Sequence, residues 1–414
     1  MATIKPFKAI RPTSDKAASV AALPYDVYNR AEARAAARGK YDSFLRVDRP
    51  ETTMDERIDL YDEAVYRQAK KNLEKLFDRN CIFQDEVPYY YLYELTMDGR
   101  SQTGLVACTS IDEYLNGQIK KHELTRADKE LDRINHVDAC DANTGPIFLT
   151  YRHQDEINTL IEKVKADDQP EYDFISEDGI GHRCWVINDQ DTISALTAAF
   201  KNVDALYIAD GHHRSASAVK VGLKRREENP GYTGEEEFNV FLSVIFPDDQ
   251  LKILDYNRVV KDLNGLDEQA FLDAVKEKFE IEKVGKEPCR PQEAAAFGMY
   301  LNGEWYQLKA KPNTYDSEDP VGCLDVSILQ NNLLTPILGI GDPRTDQRID
   351  FVGGIRGLDE LVRRAESDMK IAFAMFPTSI DQLMNIADAG LLMPPKSTWF
   401  EPKLRSGLFI HALK

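Results

Sequence analysis

The stretch ALYIADGHHRSASA, residues 205–218, places two histidines and an arginine directly after an apolar run. Residues 205–209 favour a buried strand, and residues 215–220 favour a helix that continues through Leu223. The polar group at 210–214 therefore falls where a strand ends and a helix begins. Such a junction offers backbone N–H groups and the positive end of the helix dipole, which suit a phosphate or a carboxylate.

Arg214 strengthens this interpretation, because its planar guanidinium can bind two phosphate oxygens at once. The alternative is an ordinary strand–helix turn built on Asp210 and Gly211. Adjacent histidines on a helix point about 100° apart, and the sequence contains no HxxxH motif and no cysteine pair. We therefore expect no zinc site here.

A second candidate is KHELTRADKELDR, residues 121–133, in which Glu123 is surrounded by cationic side chains. A carboxylate among cations keeps a low pKa until a substrate anion takes those cations. Glu123 could then act as the general base on a hydroxyl group. A solvated helix face with ion pairs four residues apart explains the same pattern, and both interpretations stay open.

A third candidate is MPPKSTWFEPKLRSGL, residues 393–408, which is basic and rich in hydroxyl groups. It lacks the glycine spacing GxxxxGK[ST], so it is not a Walker loop. In an acidic chain such a segment still suggests a second phosphate contact, and we expect Lys396 and Arg214 to reach one anion. The alternative is a polar edge strand.

Composition limits the classes of protein. The chain has 414 residues, 43% of them hydrophobic, which predicts a globular protein. The net charge of −18 argues against a nucleic-acid partner. We found no apolar run of membrane-spanning length and no secretion signal, and the six cysteines are dispersed. We therefore expect a cytoplasmic protein with no membrane partner.

The helices and strands that the sequence predicts around these groups indicate a mixed α+β chain. A helix is predicted over 57–79, and hairpins are predicted at the turns Asp98-Gly99, Asp248-Asp249 and Asn302-Gly303. We expect a main α+β region over 1–265 that carries the strand–helix junction. A helix–hairpin insertion or subdomain follows over 266–315, and an α/β segment over 316–414 completes the active site.

The motifs PYDVYN, KHELT, DGHHR and MPPKSTWFEPK together resemble the bacterial family known as domain of unknown function 1015, in matching order over nearly the whole chain. DGHHRSASA also resembles the strand–turn–helix motif of the ParB/sulfiredoxin superfamily, which includes free-serine kinases. The resemblance implies a ParB/sulfiredoxin-like core with a mixed sheet, hairpins and large helical additions. It further implies phosphoryl transfer to the hydroxyl of free L-serine.

Two other activities of that superfamily do not fit. Sulfiredoxin needs a cysteine within this motif, and residues 205–218 contain none. ParB-type partition proteins carry a helix-turn-helix after the motif, whereas residues 219–260 predict a helix and a hairpin.

The resulting hypothesis is a Mg²⁺-dependent kinase that forms O-phosphoserine from L-serine or runs the reverse reaction. Either pyrophosphate or a nucleotide, ATP or ADP, serves as the donor. The alternative is a regulatory protein that binds a nucleotide or phosphate without significant turnover. The donor, the physiological direction and the oligomeric state stay open.

Each candidate residue then has a role in the hypothesis. The expected catalytic residues are Glu123 as proton acceptor, Asp210 as the Mg²⁺ ligand, His212 and His213. The expected phosphate-binding residues are Gly211, His213, Arg214, Ser215, Lys396, Ser397, Thr398 and Arg405. The carboxylate and ammonium of serine need a cation and an acceptor, which either Arg133 and Asn143 or Tyr25 and Asp26 could supply.

Overall fold

The structure is a computed structural model that describes residues 1–414. Its helices are α1 Ala17–Val20, α2 Arg30–Ala37, α3 Leu45–Asp48, α4 Glu63–Asp78, α5 Ile111–Leu115, α6 Ala127–Cys140, α7 Asp155–Asp167, α8 Gln190–Phe200, α9 His212–Glu228, α10 Glu268–Lys278, α11 Asp325–Leu329, α12 Gly357–Ser367 and α13 Ile380–Asp388.

The strands are β1 Ile4–Lys5, β2 Ile10–Pro12, β3 Ile82–Gln84, β4 Tyr90–Met97, β5 Arg100–Ser110, β6 Ile119–Lys120, β7 Ala142–Asn143, β8 Ile147–Tyr151, β9 Tyr172–Ile175, β10 Gly181–Ile187, β11 Leu206–Asp210, β12 Val240–Pro247, β13 Ile253–Leu254, β14 Tyr256–Val260, β15 Phe279–Gly285, β16 Ala296–Leu301, β17 Glu304–Ala310, β18 Ile349–Gly353, β19 Ile371–Ala374, β20 Trp399–Phe400 and β21 His411–Ala412. The mixed α+β class is confirmed.

The chain divides into two compact units. The first comprises residues 1–121, 125–251 and 402–414, and the second comprises residues 122–124 and 252–401. The domain boundaries expected after residues 265 and 315 stay predictions.

The first unit is built on a mixed sheet in the order β6-β11-β8-β12-β5-β4-β10-β9, with β1 also paired to β5. The pairs β6–β11 and β8–β12 are parallel, and the other pairs are antiparallel. Helices α7 and α8 bury Ile157, Ile161, Leu196 and Phe200 in one apolar cluster with this sheet. Full burial of each such side chain contributes about 1.5–3 kcal/mol to the free energy of unfolding.

The second unit contains a six-stranded antiparallel sheet in the order β15-β17-β16-β19-β14-β18. Helix α12 packs its buried Leu361 in a cluster with Val259, Tyr300 and Ala372 of that sheet. The short strands β13 and β20 form a separate antiparallel pair.

Two of the three predicted hairpins are confirmed. Strands β4 and β5 pair around Asp98-Gly99, and strands β16 and β17 pair around Asn302-Gly303. The hairpin predicted at Asp248-Asp249 is wrong, because β12 pairs with β5 and β8 while β14 pairs with β18 and β19. With both edges of β12 already paired, no edge is left for the strand that follows.

The helix predicted over 57–79 is confirmed only from Glu63 onward. Asp62 ends the preceding loop and caps α4, its side chain accepting the Ala64 N–H at 2.8 Å. The stripe of Val65, Ala69 and Leu73 is buried as the spacing predicts. The N-cap preference of aspartate explains the later start of the helix.

Candidate functional site

The predicted strand–helix junction is confirmed at β11 and α9. Four of the five residues of β11 are fully buried, and α9 begins at His212. Gly211 joins them with φ +99°, a left-handed conformation that favours glycine. A Cβ at this position would also lie 3.1 Å from Arg214 Nε. The N-cap residue is Gly211, and no side chain of that residue accepts a hydrogen bond from the first turn.

Arg214 is held at the start of α9 by its own contacts. Its Nη1 donates to the Pro146 carbonyl at 2.5 Å, and its Nη2 lies 3.9 Å from Asp210 Oδ1. Its side chain is 11% exposed, and its buried Nε has no hydrogen-bond partner in the protein. A buried N–H without an acceptor costs free energy, so an anion at this point would stabilise it.

Asp210 is ion-paired with Lys403, whose Nζ lies 3.0 Å from its Oδ2. Burial by itself would raise the pKa of Asp210. The charges of Lys403, Arg214 and His212 outweigh that effect and hold the pKa well below its usual range. The carboxylate is therefore ionised at neutral pH.

A cavity with about 440 Å³ of empty space, including its opening to solvent, lies beside the first turns of α9. It is lined by Tyr25, Asp48, Arg133, His136, Val137, Asn143, Thr144, Gly145, Ile147, Arg214, Ser217, Ala218 and Ser406. Three of the predicted substrate residues, Tyr25, Arg133 and Asn143, thus share this cavity with Arg214. The fourth, Asp26, is exposed and does not line it.

The predicted substrate residues come from three elements: helix α6 carries Arg133, the single-turn helix Tyr25–Val27 carries Tyr25, and β7 carries Asn143. The Arg133 guanidinium lies over the Tyr25 ring at 4.1 Å and donates to Asp132 from Nε and Nη2. Asn143 lies on β7, where its Oδ1 accepts the Leu242 N–H at 3.3 Å. Burial is the largest cause of the raised pKa of Tyr25, so its phenol stays protonated.

Asp48 and His136 also line the cavity, and sequence reasoning missed both. Asp48 is 3% exposed, accepts a hydrogen bond from Thr144 Oγ1 at 3.2 Å, and has a pKa raised by burial. Burial first, and then Arg133, lower the pKa of His136 to about 4. In the sequence Asp48 stands between charged neighbours in FLRVDRP, residues 44–50, and nothing in that pattern shows that it lines a cavity.

The remaining residues of the junction make contacts within the first unit. His213 Nε2 accepts the Arg126 N–H at 3.0 Å, while His212 is buried. The fully buried Ser215 donates its hydroxyl to the His212 carbonyl at 3.0 Å. The hydroxyl proton of Ser215 is therefore already used in a hydrogen bond within the helix.

Arg405 is 4% exposed and turns toward the β9–β10 hairpin. Its Nη2 donates to Ser176 Oγ at 3.1 Å and pairs with Asp178. It does not line the cavity, although its neighbour Ser406 does.

The other predicted residues belong to the second unit. Glu123 is half-buried in the loop 122–124, where the Met393 N–H donates to the carbonyl of His122 at 2.8 Å. What Glu123 does stays a prediction.

Lys396 is exposed and has a left-handed backbone with φ +60°, and its carbonyl accepts from Arg258 Nη2 at 3.0 Å. The buried Ser397 donates its hydroxyl to the Pro394 carbonyl at 2.6 Å, and Thr398 is half-buried. What Lys396, Ser397 and Thr398 bind stays a prediction.

Comparison with solved structures finds several similar chains, among them the following three. A mutant of a free serine kinase in complex with AMP is 14% identical, with a TM-score of 0.39, and the match covers 75% of this chain and 92% of that one. A conserved hypothetical protein from Pyrococcus furiosus is 13% identical, with a TM-score of 0.38 and coverage of 74% and 95%. SbnI with a C-terminal truncation, from Staphylococcus aureus, is 12% identical, with a TM-score of 0.40 and coverage of 74% and 87%.

No curated protein matches the sequence. None of the helices combines the length and the apolar character that crossing a membrane requires. The family model described as protein of unknown function (DUF1015) matches residues 4–327. The span matched is most of the chain, and the protein belongs to the DUF1015 family.

Proposed function

We propose that this protein is a phosphotransferase that acts on the hydroxyl of free L-serine and is built on a ParB/sulfiredoxin-like core. One observation carries the proposal: Arg214, at the start of α9, and Arg133, from α6, line one cavity together with Tyr25 and Asn143. The motif resemblance suggests serine as the substrate. The cavity offers side chains of the types that would bind serine.

The two arginines favour an anionic ligand. Both side chains are about nine-tenths buried, and burial of a cation is costly unless it is paired. Asp132 pairs with Arg133 at 2.8 Å, and Asp210 lies 3.9 Å from Arg214, whose buried Nε still has no acceptor. A phosphate at the N-terminus of α9 would accept from this group and from backbone N–H groups of the first turn.

The same cavity suits a small zwitterion. Serine needs a cation for its carboxylate and an acceptor for its ammonium group. Arg133 offers the cation, and the carboxylate of Asp48 offers an acceptor. Asn143 Oδ1 is the other acceptor in the cavity, although it already accepts the Leu242 N–H at 3.3 Å and lies 3.1 Å from His411 Nδ1. The aromatic face of Tyr25 keeps Arg133 in place, which lowers the entropy lost when the substrate binds.

The proposed Mg²⁺ would be held by Asp210. Mg²⁺ commonly binds one or two carboxylates and takes its remaining ligands from phosphate oxygens and water. Asp210 offers one such carboxylate, which is ionised; Lys403 donates to its Oδ2 at 3.0 Å, and Arg214 Nη2 lies 3.9 Å from its Oδ1. The bound ion would offset negative charge on the donor phosphates.

The residues have distinct parts in the proposed reaction. Arg214 and the first turn of α9, with His212 and His213, hold the donor phosphates. Glu123 takes the proton from the serine hydroxyl. The serine oxygen bonds to phosphorus as the bridging P–O bond of the donor breaks, and phosphate, ADP or AMP leaves when the donor is pyrophosphate, ATP or ADP. Lys396 offsets charge on the transferred group. Positioning and electrostatics supply most of the rate enhancement in such reactions.

The test incubates the protein with L-serine, Mg²⁺ and either pyrophosphate, ATP or ADP, and measures O-phosphoserine by mass spectrometry. We expect product that requires both the donor and serine. We expect pyrophosphate to give the highest kcat/KM, because the sequence has no Walker loop or other clear adenine-binding signature. Donor binding without product from any of the three would instead favour a regulatory protein.

A further inference from the structure

A second cavity lies in the first unit, between α4 and the segment that contains α3. It has about 860 Å³ of empty space, including its opening to solvent. Its lining residues are Tyr41, Ser43, Arg46, Val47, Thr53 and, from α4, Gln68, Asn72, Lys75, Leu76 and Arg79. None of them lines the candidate functional site.

Buried polar contacts hold the walls of this second cavity. Asn72, 7% exposed, donates from Nδ2 to the Arg46 carbonyl at 2.6 Å and accepts from Gln68 Nε2 at 2.7 Å. This amide ties α4 to α3, so these two walls of the cavity are held together, while Tyr41, Lys75 and Arg79 are exposed at its rim. Val47 and Leu76 are also buried in its wall.

The cavity is cationic in a chain of net charge −18. Three of the ten lining residues are Arg46, Lys75 and Arg79, and none is acidic. Arg79 pairs with Asp42 at 2.6 Å, but the same carboxylate also pairs with Lys16 at 3.3 Å. The carboxylate of Asp42 is therefore shared between Arg79 and Lys16.

Arg46 and Lys75 take part in no ion pair. The Arg46 guanidinium is instead held over the Tyr41 ring at 5.1 Å. A stacked guanidinium keeps its N–H donors available at the edge of its plane. An acceptor that met both Arg46 and Lys75 would interact with two positive charges, which favours a multiply charged anion such as phosphate.

We propose that this second cavity is a binding site for a compact phosphate-class anion, either inorganic phosphate or a small phosphate ester. Arg46 supplies directed N–H donors, and Lys75 supplies an ammonium group. Arg79 adds further positive charge. The proposal does not depend on the phosphotransferase assignment.

The test uses the full chain with Arg214→Ala, which weakens the phosphate site at α9. Inorganic phosphate is titrated calorimetrically at constant ionic strength. We expect one remaining site, weakened at least ten-fold by adding Arg46→Gln and Lys75→Gln. Lys71→Gln, an exposed change on the same helix outside the cavity, should alter the dissociation constant by less than two-fold. Absence of phosphate binding, or equal effects of the cavity and control changes, would overturn the proposal.

A second measurement needs no variant. An amine-acetylating reagent is applied to the unmodified protein with and without inorganic phosphate, and acetylation of each lysine is measured by mass spectrometry. We expect phosphate to slow the modification of Lys75 at least three-fold and to leave Lys71 unchanged. Equal rates at Lys75 with and without phosphate would contradict the assignment.

Discussion

The ammonium of Lys403 lies 3.0 Å from the carboxylate of Asp210, its partner 193 positions earlier in the chain. The two side chains are 13% and 29% exposed. This ion pair joins the segment 402–414 to the end of β11, immediately before the junction at Gly211. The pair therefore holds the segment 402–414 against the first unit, and it also places a positive charge beside the carboxylate at the candidate site.

Lys403→Met should destabilise the protein. The change leaves a partly buried carboxylate without its nearest cation, at a cost of about 1–3 kcal/mol. Lys414→Met is the control, because Lys414 pairs with Asp141 but is 79% exposed and should contribute less than about 1 kcal/mol. Urea denaturation measures both. Similar losses for the two variants would mean that the Lys403–Asp210 pair has no special energetic role.

Arg214→Ala should weaken binding of the phosphoryl donor. Losing a charge-assisted contact to a buried phosphate costs about 1.5–3 kcal/mol, or roughly ten- to a hundred-fold in affinity. Isothermal titration with pyrophosphate, ATP and ADP measures the effect. Arg183→Ala removes an arginine that is 53% exposed on β10 and should leave affinity unchanged. An unaltered dissociation constant for Arg214→Ala would exclude the anion site at α9.

Glu123→Gln should reduce turnover and preserve donor binding. The amide keeps the size of the side chain but cannot accept the hydroxyl proton, and loss of a general base lowers kcat by about 10²–10⁴. Steady-state rates and donor titration are compared on one preparation. Glu235→Gln, an exposed change, is the control. A kcat within three-fold of the unmodified protein would remove Glu123 from the reaction.

Asp325→Asn should stabilise the second unit at neutral and alkaline pH. Burial raises the pKa of Asp325 to about 7. Its Oδ1 accepts the Ala295 N–H at 3.0 Å, while its buried Oδ2 has no partner. Between about pH 4 and pH 7 the unfolded chain is ionised and the folded chain keeps the proton, so stability falls as pH rises.

The free energy of unfolding of Asp325→Asn should therefore exceed that of the unmodified protein by a difference that grows from pH 4 to pH 7. Above about pH 7 the difference no longer changes with pH, and it amounts to no more than about 4 kcal/mol. Denaturant titrations across this range measure it, with the exposed Asp316→Asn as control. A difference independent of pH would show that Asp325 ionises normally.

Local turn chemistry made much of the fold predictable. Asp98-Gly99 and Asn302-Gly303 place positive-φ residues between two alternating strands, and both hairpins form. Asp248-Asp249 looked similar, but the partners of β12 come from β5 and β8. Which strand occupies an edge depends on the whole sheet and cannot be read from the turn.

The candidate site was predictable only where its residues belong to a conspicuous motif. Arg214 and Gly211 lie in one, and the hydrogen-bonding character of Tyr25 and Asn143 suggested a role in binding. Asp48 reaches the same cavity through the packing of α3, and no local pattern marks it. Contacts between distant segments decide which polar residues share a cavity.

The first unit needs residues 402–414, which come after the whole of 252–401 in the chain. Within that unit, β21 pairs with β7, Ile410 bridges to Ile10, and Ser406 bridges to Ala22. On the ribosome, a nascent chain that has reached residue 401 therefore lacks Lys403, Ser406 and the strand partner of β7. The cavity beside α9 would lack Ser406 until the segment 402–414 has emerged from the ribosome, so the first unit completes its packing only after residues 252–401 have been made.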